Sequence, residues 1–228
     1  MKEIKNLYLL ASDTPRARAY IDILLKKKMK FEGAIIFDKK SKKKNRLKTN
    51  LFNNETPLID QLKISKTKFK YIKDIDINSD QIINELKKEK KKYIVFAGPP
   101  GSILRKKILS LKHKFIHIHP GDLPKYRGST TIYYSLLNKD KITATAIFMN
   151  REIDKGEIIN KMTFTSPVNK KEIDDFFDPY YRSQLLYKII LEYKKKKIID
   201  GKKQKGFSQT YYIIHPLLKH IAILSKRN

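Results

Sequence analysis

Residues 117–128 read His-Ile-His-Pro-Gly-Asp-Leu-Pro-Lys-Tyr-Arg-Gly, and their types and spacing could do chemistry. On a strand, His117 and His119 point to one side while Ile116 and Ile118 point to the other. Pro120 cannot continue a hydrogen-bonded ladder, so the strand stops there, and a Pro/Gly-punctuated loop carries Asp122, Tyr126 and Arg127. Imidazole titrates near neutrality and serves as acid, base or hydrogen-bond donor. The bland reading is a histidine that caps the sheet by bonding a loop carbonyl. The sharp reading is a pair presented to a crevice, which open α/β sheets form at the carboxyl ends of their strands. Zinc would need a third ligand that His-x-His does not supply, so no metal is assigned.

The elements that must position this loop can be read upstream. An apolar run over Ile4–Leu10 is followed by Thr14, a good N-cap, and Pro15 at the first helical position; Ala17, Tyr20, Ile21 and Leu24 then recur at helix spacing. Strand candidates are Glu32–Asp38, Phe69–Ile75, Tyr93–Gly98 and Lys114–His119. Helices are expected around Pro57–Ile64, after the cap Ser79, and near Ile103–Leu109. This alternation predicts an α/β fold with an open, mostly parallel twisted sheet and helices on both faces. Downstream, a helix follows Ser129, and two strands over Thr143–Asn150 and Gly156–Phe164 flank a hairpin-like connection, Arg-Glu-Ile-Asp-Lys. A helical stretch from Lys170 to Lys197 is interrupted at Asp178-Pro179, and the tail reads as a strand or loop plus a last helix. We expect a catalytic domain over 1–168 and a helical extension over 169–228 packed on it.

Composition limits the function classes. The chain has 228 residues, 40 % hydrophobic, enough for a real core. No window approaches the apolar length of a membrane span, the N-terminus lacks a signal-peptide pattern, and there is no cysteine for disulfides or thiolate metal sites. A cytoplasmic enzyme fits. The net charge of +28 would suit a polyanionic partner, but only eight of the 51 basic residues are arginine and the lysines are spread through every segment. The densest run, Lys39–Lys48, has no interleaved aromatics for stacking bases and reads as a mobile loop. We therefore expect a solvated basic surface and no dedicated nucleic-acid or membrane partner; a homodimer is compatible with the sequence.

The segment from Phe115 to Asn138, with Thr143–Ile159 after it, resembles the folate-dependent formyltransferase family. That family's pattern is Asn-x-His-Pro-(Ser/Gly)-x-Leu-Pro-x-x-(Arg/Pro)-Gly, then an aspartate about 35 residues on in a Leu/Ile-Asp-x-Gly context. His119, Pro120, Gly121, Leu123, Pro124, Arg127 and Gly128 match the first part, and Ile153, Asp154 and Gly156 the second. The resemblance covers Tyr93–Phe164 well and implies a Rossmann-like fold and transfer of a formyl group from 10-formyltetrahydrofolate to an amine. It gives His119 the role of stabilising the oxyanion and Asp154 that of setting the histidine's charge and relaying protons. The family's asparagine is His117 here, a change that keeps an N–H donor and adds a titratable group.

The resemblance also places the folate against Gly98–Leu104 (Gly98, Pro100, Gly101, Ile103 and Leu104) and against Arg151–Asp154 (Arg151 and Ile153). Candidate acceptor contacts are Ser12, Asp13 and Arg16 after the first strand, Tyr126 and Arg127 after His119, and Arg182. Ala11–Thr14 make a poor phosphate cradle compared with the purine-pathway members, and about 60 residues after Phe164 leave no room for the barrel of the methionyl-tRNA members. The closest pattern is that of small sugar N-formyltransferases, so the expected acceptor is a nucleotide-linked amino sugar. The alternative is a formyltransferase-fold protein that binds a polyanion such as RNA without transferring formyl.

Overall fold

The alternation of apolar runs and capped helices over the first 120 residues is realised strand by strand in the computed structural model, which describes residues 1–38, 47–73, 76–90 and 92–225. Most of the lysine run expected as a mobile loop, and the last two residues of the strand expected over Phe69–Ile75, lie outside the described residues. The chain groups into two compact units, Met1–His117 and Ile118–Asn228.

The first unit is built from β1 (Lys2–Ala11), α1 (Pro15–Lys26), β2 (Met29–Phe37), α2 (Leu58–Ile64), β3 (Phe69–Ile72), α3 (Asp80–Lys88), β4 (Tyr93–Ala97), α4 (Lys106–Leu109) and β5 (Lys114–His119), whose last two residues belong to the second unit. These strands are parallel and lie in the order β3-β2-β1-β4-β5. The chain steps outward from β1 to β3 and then returns to the other side of β1. Right-handed crossovers therefore put α1 and α2 on one face and α3 and α4 on the other. The order reverses between β1 and β4, and their carboxyl ends define a switch-point crevice. The sequence signals hold locally: Thr14 Oγ1 accepts from Ala17 N at 3.2 Å with Pro15 opening α1, and Ser79 Oγ accepts from Ile82 N at 3.4 Å. Every residue of β4 is buried, as a strand covered on both faces requires. Each such Ile, Val or Phe contributes about 1.5–3 kcal/mol of burial.

The second unit holds β6 (Tyr126–Gly128), α5 (Thr131–Leu137), β7 (Ile142–Phe148), β8 (Ile158–Phe164), α6 (Asp178–Lys196), β9 (Gln209–Tyr211) and α7 (Pro216–Leu224). β7 and β8 pair antiparallel from Ile142↔Phe164 to Ile147↔Ile158, with the expected hairpin connection between them. At the expected interruption, Asp178-Pro179, the backbone stays helical and the helix type changes instead. A 3₁₀ turn over Lys170–Glu172 and a π turn over Ile173–Phe177 precede α6, whose first turn holds the proline. Ile132, Tyr133 and Leu136 of α5 bury themselves against Ile142, Ile173, Tyr181, Ile214 and Ala222. The parallel pair β6–β9, with Tyr126 opposite Gln209 and Gly128 opposite Tyr211, was not anticipated. The mostly parallel sheet with interleaved helices is the expected fold class. No helix among the described residues is long and apolar enough to cross a membrane.

Candidate active site

The two histidines of β5 share a side of the strand but differ in surroundings: His117 is half-buried and His119 is 1 % exposed. The His119 Nε2–H donates to the Tyr126 carbonyl at 2.8 Å, the bond that the bland reading asked for. Gly121 makes this contact possible, because a Cβ there would press on His119 Nε2, Thr131 Oγ1 and Tyr126 O at 2.8 Å each. With Nε2 used in this way, Nδ1 faces Asp154 Oδ2 at 3.4 Å. Burial pushes the His119 pKa below the ordinary histidine value; the Asp154 carboxylate and the Tyr126 carbonyl oppose that shift, and the Arg182 guanidinium adds to it.

Asp154 is held from several directions. Its Oδ2 accepts from the Gly128 N–H at 2.9 Å. Its backbone lies in the left-handed region at φ 55°, a conformation that costs a non-glycine residue energy and that surrounding contacts must over-determine. Those contacts are present. Lys155 N donates to Glu152 O at 3.3 Å, and Gln204 Nε2 donates to both Asp154 O at 2.7 Å and Gly156 O at 2.8 Å. Gly156 packs so closely on the Phe148 carbonyl that no Cβ fits there. The turn is thus built to aim one carboxylate at one imidazole. With the Nε2–H committed to a carbonyl, Nδ1 is the ring nitrogen that faces the Asp154 carboxylate.

The other expected site residues of this unit divide clearly. Arg151 and Ile153 are exposed, Ile153 at 58 %. The Tyr126 side chain is buried: its hydroxyl bonds Asp140 and accepts from Asn138 Nδ2 at 3.0 Å, and its ring stacks on Tyr211 at 5.3 Å. Burial, with the Asp140 carboxylate, holds that phenol above its usual pKa. The Arg127 guanidinium donates to Ser208 Oγ and, at 2.9 Å, to Gln204 Oε1. Arg182 is turned inward, with Nε and Nη2 on the Asp178 carboxylate at 2.6 and 2.7 Å and Nη1 on the Ile118 carbonyl at 3.0 Å.

In the first unit, the carboxyl ends of β1 and β4 bring the remaining candidates together. Ser12 N donates to Ala97 O at 3.2 Å, and Arg16 Nη2 donates to Gly98 O at 2.6 Å. The Ser12 hydroxyl is spent on the Phe37 carbonyl at 2.6 Å, and Asp13 Oδ1 takes Arg18 Nη1 at 2.5 Å. Beyond Gly98, the Asn78 side chain fixes the loop by donating to Ile103 O at 2.9 Å and accepting from Arg105 N at 2.7 Å. Ser102 N donates to Pro99 O at 3.1 Å, Gly101 takes φ 77°, and Pro100 is exposed. Leu104 is buried, while the Ile103 side chain stands 53 % exposed. Sequence reasoning missed Gln204, Ser208, Asn78 and the Gly128 N–H. Gln204 and Asn78 act on backbone groups, the Gly128 N–H is itself one, and Ser208 meets the Arg127 side chain from 81 positions away, none of which leaves a residue-type signal.

Residues 5–172 match the family model described as formyl transferase. The methionyl-tRNA formyltransferase of Finegoldia magna is 27 % identical over 179 residues, covering 77 % of this chain and 54 % of that protein, so the chain spans about half the length of this curated relative. Among solved structures, a sugar N-formyltransferase from Shewanella sp. superposes with a TM-score of 0.61 at 16 % identity, over 96 % of this chain and 86 % of that one. An N-formyltransferase from Helicobacter canadensis, solved with folinic acid and dTDP-3-aminofucose, gives 0.60 at 16 % identity over 91 % and 71 %. At these identities the structural likeness is one of fold.

Proposed function

The chain belongs to the formyl transferase family, and from that premise we propose that it moves a formyl group from 10-formyltetrahydrofolate to the amine of a small acceptor, an amino-sugar nucleotide. The observation that carries this reading is the buried His119–Asp154 pair, whose carboxylate projects from a strained turn clamped by backbone bonds. An ion pair kept only for stability needs no such turn.

The residues present suit a folate. A pterin is recognised by a rigid backbone edge together with apolar contact, and the loop after β4 offers both: a pinned backbone and an outward-turned Ile103. The folinic acid and dTDP-3-aminofucose of the Helicobacter protein support the choice of donor and acceptor class. Bound folate supplies an electrophilic formyl carbon.

In this reading Asp154 takes the proton that the attacking amine releases as the new C–N bond forms. Asp154 and His119 hold that proton between Oδ2 and Nδ1 and return it to the nitrogen that leaves as the old C–N bond breaks. His117 offers its N–H to the charge that develops on the formyl oxygen, in place of the family's asparagine. Arg127 is a candidate phosphate partner for the acceptor, whereas we assign Arg182 a positioning role.

A second reading is favoured by the charge of +28 and by the Finegoldia relative: a polyanionic acceptor, an aminoacyl-tRNA. One experiment separates the two. The protein is incubated with 10-formyltetrahydrofolate and either a panel of amino-sugar nucleotides or methionyl-tRNA, and N-formyl product is read by mass spectrometry. Product from a sugar nucleotide alone supports the first reading, and product from tRNA alone the second. No product from any amine, with salt-dependent RNA binding in a gel shift, would instead favour an RNA-binding protein on a formyltransferase fold.

A further inference from the structure

The residues that tie down the His119–Asp154 pair lead into a short stretch of the tail, Gln204 to Tyr211, outside the 5–172 segment that carries the family match. Gln204 uses its whole amide. Its Nε2 donates to Asp154 O at 2.7 Å and to Gly156 O at 2.8 Å, bridging the two ends of the left-handed turn, and its Oε1 accepts from Arg127 Nη2 at 2.9 Å. Arg127 is held in turn by Ser208. From the next residue, Gln209, β9 pairs with β6, and Ser129 N donates to Tyr211 O at 2.9 Å. β6 is the segment whose Tyr126 carbonyl holds His119 and whose Gly128 N–H holds the Asp154 carboxylate. At Gly128, with φ 95°, the Tyr211 carbonyl lies where a Cβ would stand.

We propose that Gln204 is a positioning residue for this site, and that the strap 204–211 fixes the contact between Asp154 and His119. The physical case rests on the φ of Asp154. A left-handed aspartate is disfavoured, and the backbone bond that closes the turn around it, from Lys155 N to Glu152 O, is long at 3.3 Å. The two donors of one amide lock the carbonyls on either side of Lys155, so the backbone cannot relax to right-handed values and swing the carboxylate away. Arg127 sets the direction of that amide, because an amide oxygen turned to the guanidinium leaves the NH₂ for the carbonyls. The inference deepens the catalytic reading above and rests on it for the word site; the contacts themselves do not.

The test reads His119 directly. Asp154 raises the pKa of His119 against burial, with Arg182 and Asp178 the other charged groups acting on the ring. Histidine-labelled protein is titrated by NMR, with the His119 signal assigned by its loss in His119→Gln. Gln204→Leu removes both donors and the acceptor while keeping a side chain of comparable bulk. The His119 midpoint should fall by about 0.5 pH unit or more, in the same direction as in Asp154→Asn. In an Asp154→Asn background, Gln204→Leu should produce no further change, because the charge it positions is gone. Gln204→Asn, too short to span both carbonyls, should give a smaller fall and serves if the leucine variant does not fold. A wild-type midpoint in both Gln204 variants overturns the proposal, as does a shift that persists unchanged without the Asp154 carboxylate. Because none of this requires turnover, absence of formyl transfer would remove the function and leave the strap standing.

Discussion

Arg182 offers the sharpest test of a sequence expectation against a structural one. Read as a sequence, it is a cation available to an acceptor phosphate. In the structure it is 8 % exposed and bonds both oxygens of Asp178, four residues earlier on α6, and the carbonyl of Ile118 beside His119. Replacing it by alanine strands an Asp178 carboxylate whose side chain is only 18 % exposed, and it leaves a buried carbonyl without this donor. Breaking one partner of a buried pair costs about 3–5 kcal/mol. Against a total stability of about 5–15 kcal/mol this is a large fraction. At about 2–4 °C per kcal/mol for a chain of this size, melting should drop by roughly 6–20 °C.

Urea unfolding of Arg182→Ala gives the stability loss, and Arg182→Met/Asp178→Leu tests its origin. The double variant should recover much of the loss, because the desolvated charge is removed together with its partner. If Arg182→Ala loses under about 1 kcal/mol of stability while the acceptor KM rises at least tenfold, the strut assignment is wrong and the arginine faces substrate.

Further outcomes follow from the same geometry. His119→Ala and Asp154→Asn should each lower kcat by about 100-fold or more with the fold retained, as measured by steady-state formyl transfer and circular dichroism. Because burial depresses the His119 pKa, the unfolded chain takes up that proton first. Its contribution to stability is therefore complete above the unfolded value of about 6.5 and is lost as pH falls from there towards the folded value. Urea midpoints at pH 7.5 and 5.5 should differ by up to about 1 kcal/mol more in wild type than in His119→Gln. His117→Asn, which restores the family pattern, should retain or raise activity and lose less rate in acid than wild type, whereas His117→Ala should lose roughly 10- to 1000-fold. An alanine variant with wild-type rate and pH profile would return His117 to the role of a strand-end histidine.

Much of the fold was legible because its signals are local and redundant. Tyr93–Gly98 is a continuous apolar run bounded by glycine, and β4 is buried along its length. Thr14-Pro15 and Ser79 are caps whose side chains bond where capping chemistry places them. The pairing of Arg182 with Asp178 is also readable in the sequence, as an i,i+4 ion pair. The β6–β9 pair was not legible. Tyr-Arg-Gly and Gln-Thr-Tyr are three residues each, too short for any periodicity, and they pair only because the chain brings them together from 83 positions apart. Gln204 is a glutamine in a lysine-rich loop, and nothing about its type or neighbours says that it meets two carbonyls of a strained turn.

The protonation pattern separates the two histidines that the sequence presented as a pair. His119 is sealed, with 2 % of its side chain exposed, one nitrogen bound to a carbonyl and the other facing Asp154. A ring so placed acts on whatever approaches through the carboxylate in front of it, and that carboxylate, 11 % exposed, is the member of the pair that meets solvent. In the proposed mechanism the depressed imidazole pKa suits proton transfer, because a strongly basic histidine would keep a proton that reached it. The half-buried His117 is the imidazole left with surface to touch a reacting oxygen. The family resemblance gave oxyanion stabilisation to His119 and treated His117 as a departure from the pattern. The burial of the two rings favours dividing the labour, with proton storage at His119 and hydrogen-bond donation at His117. In such a division an asparagine could replace the second ring but not the first, since only the first has to change its protonation state.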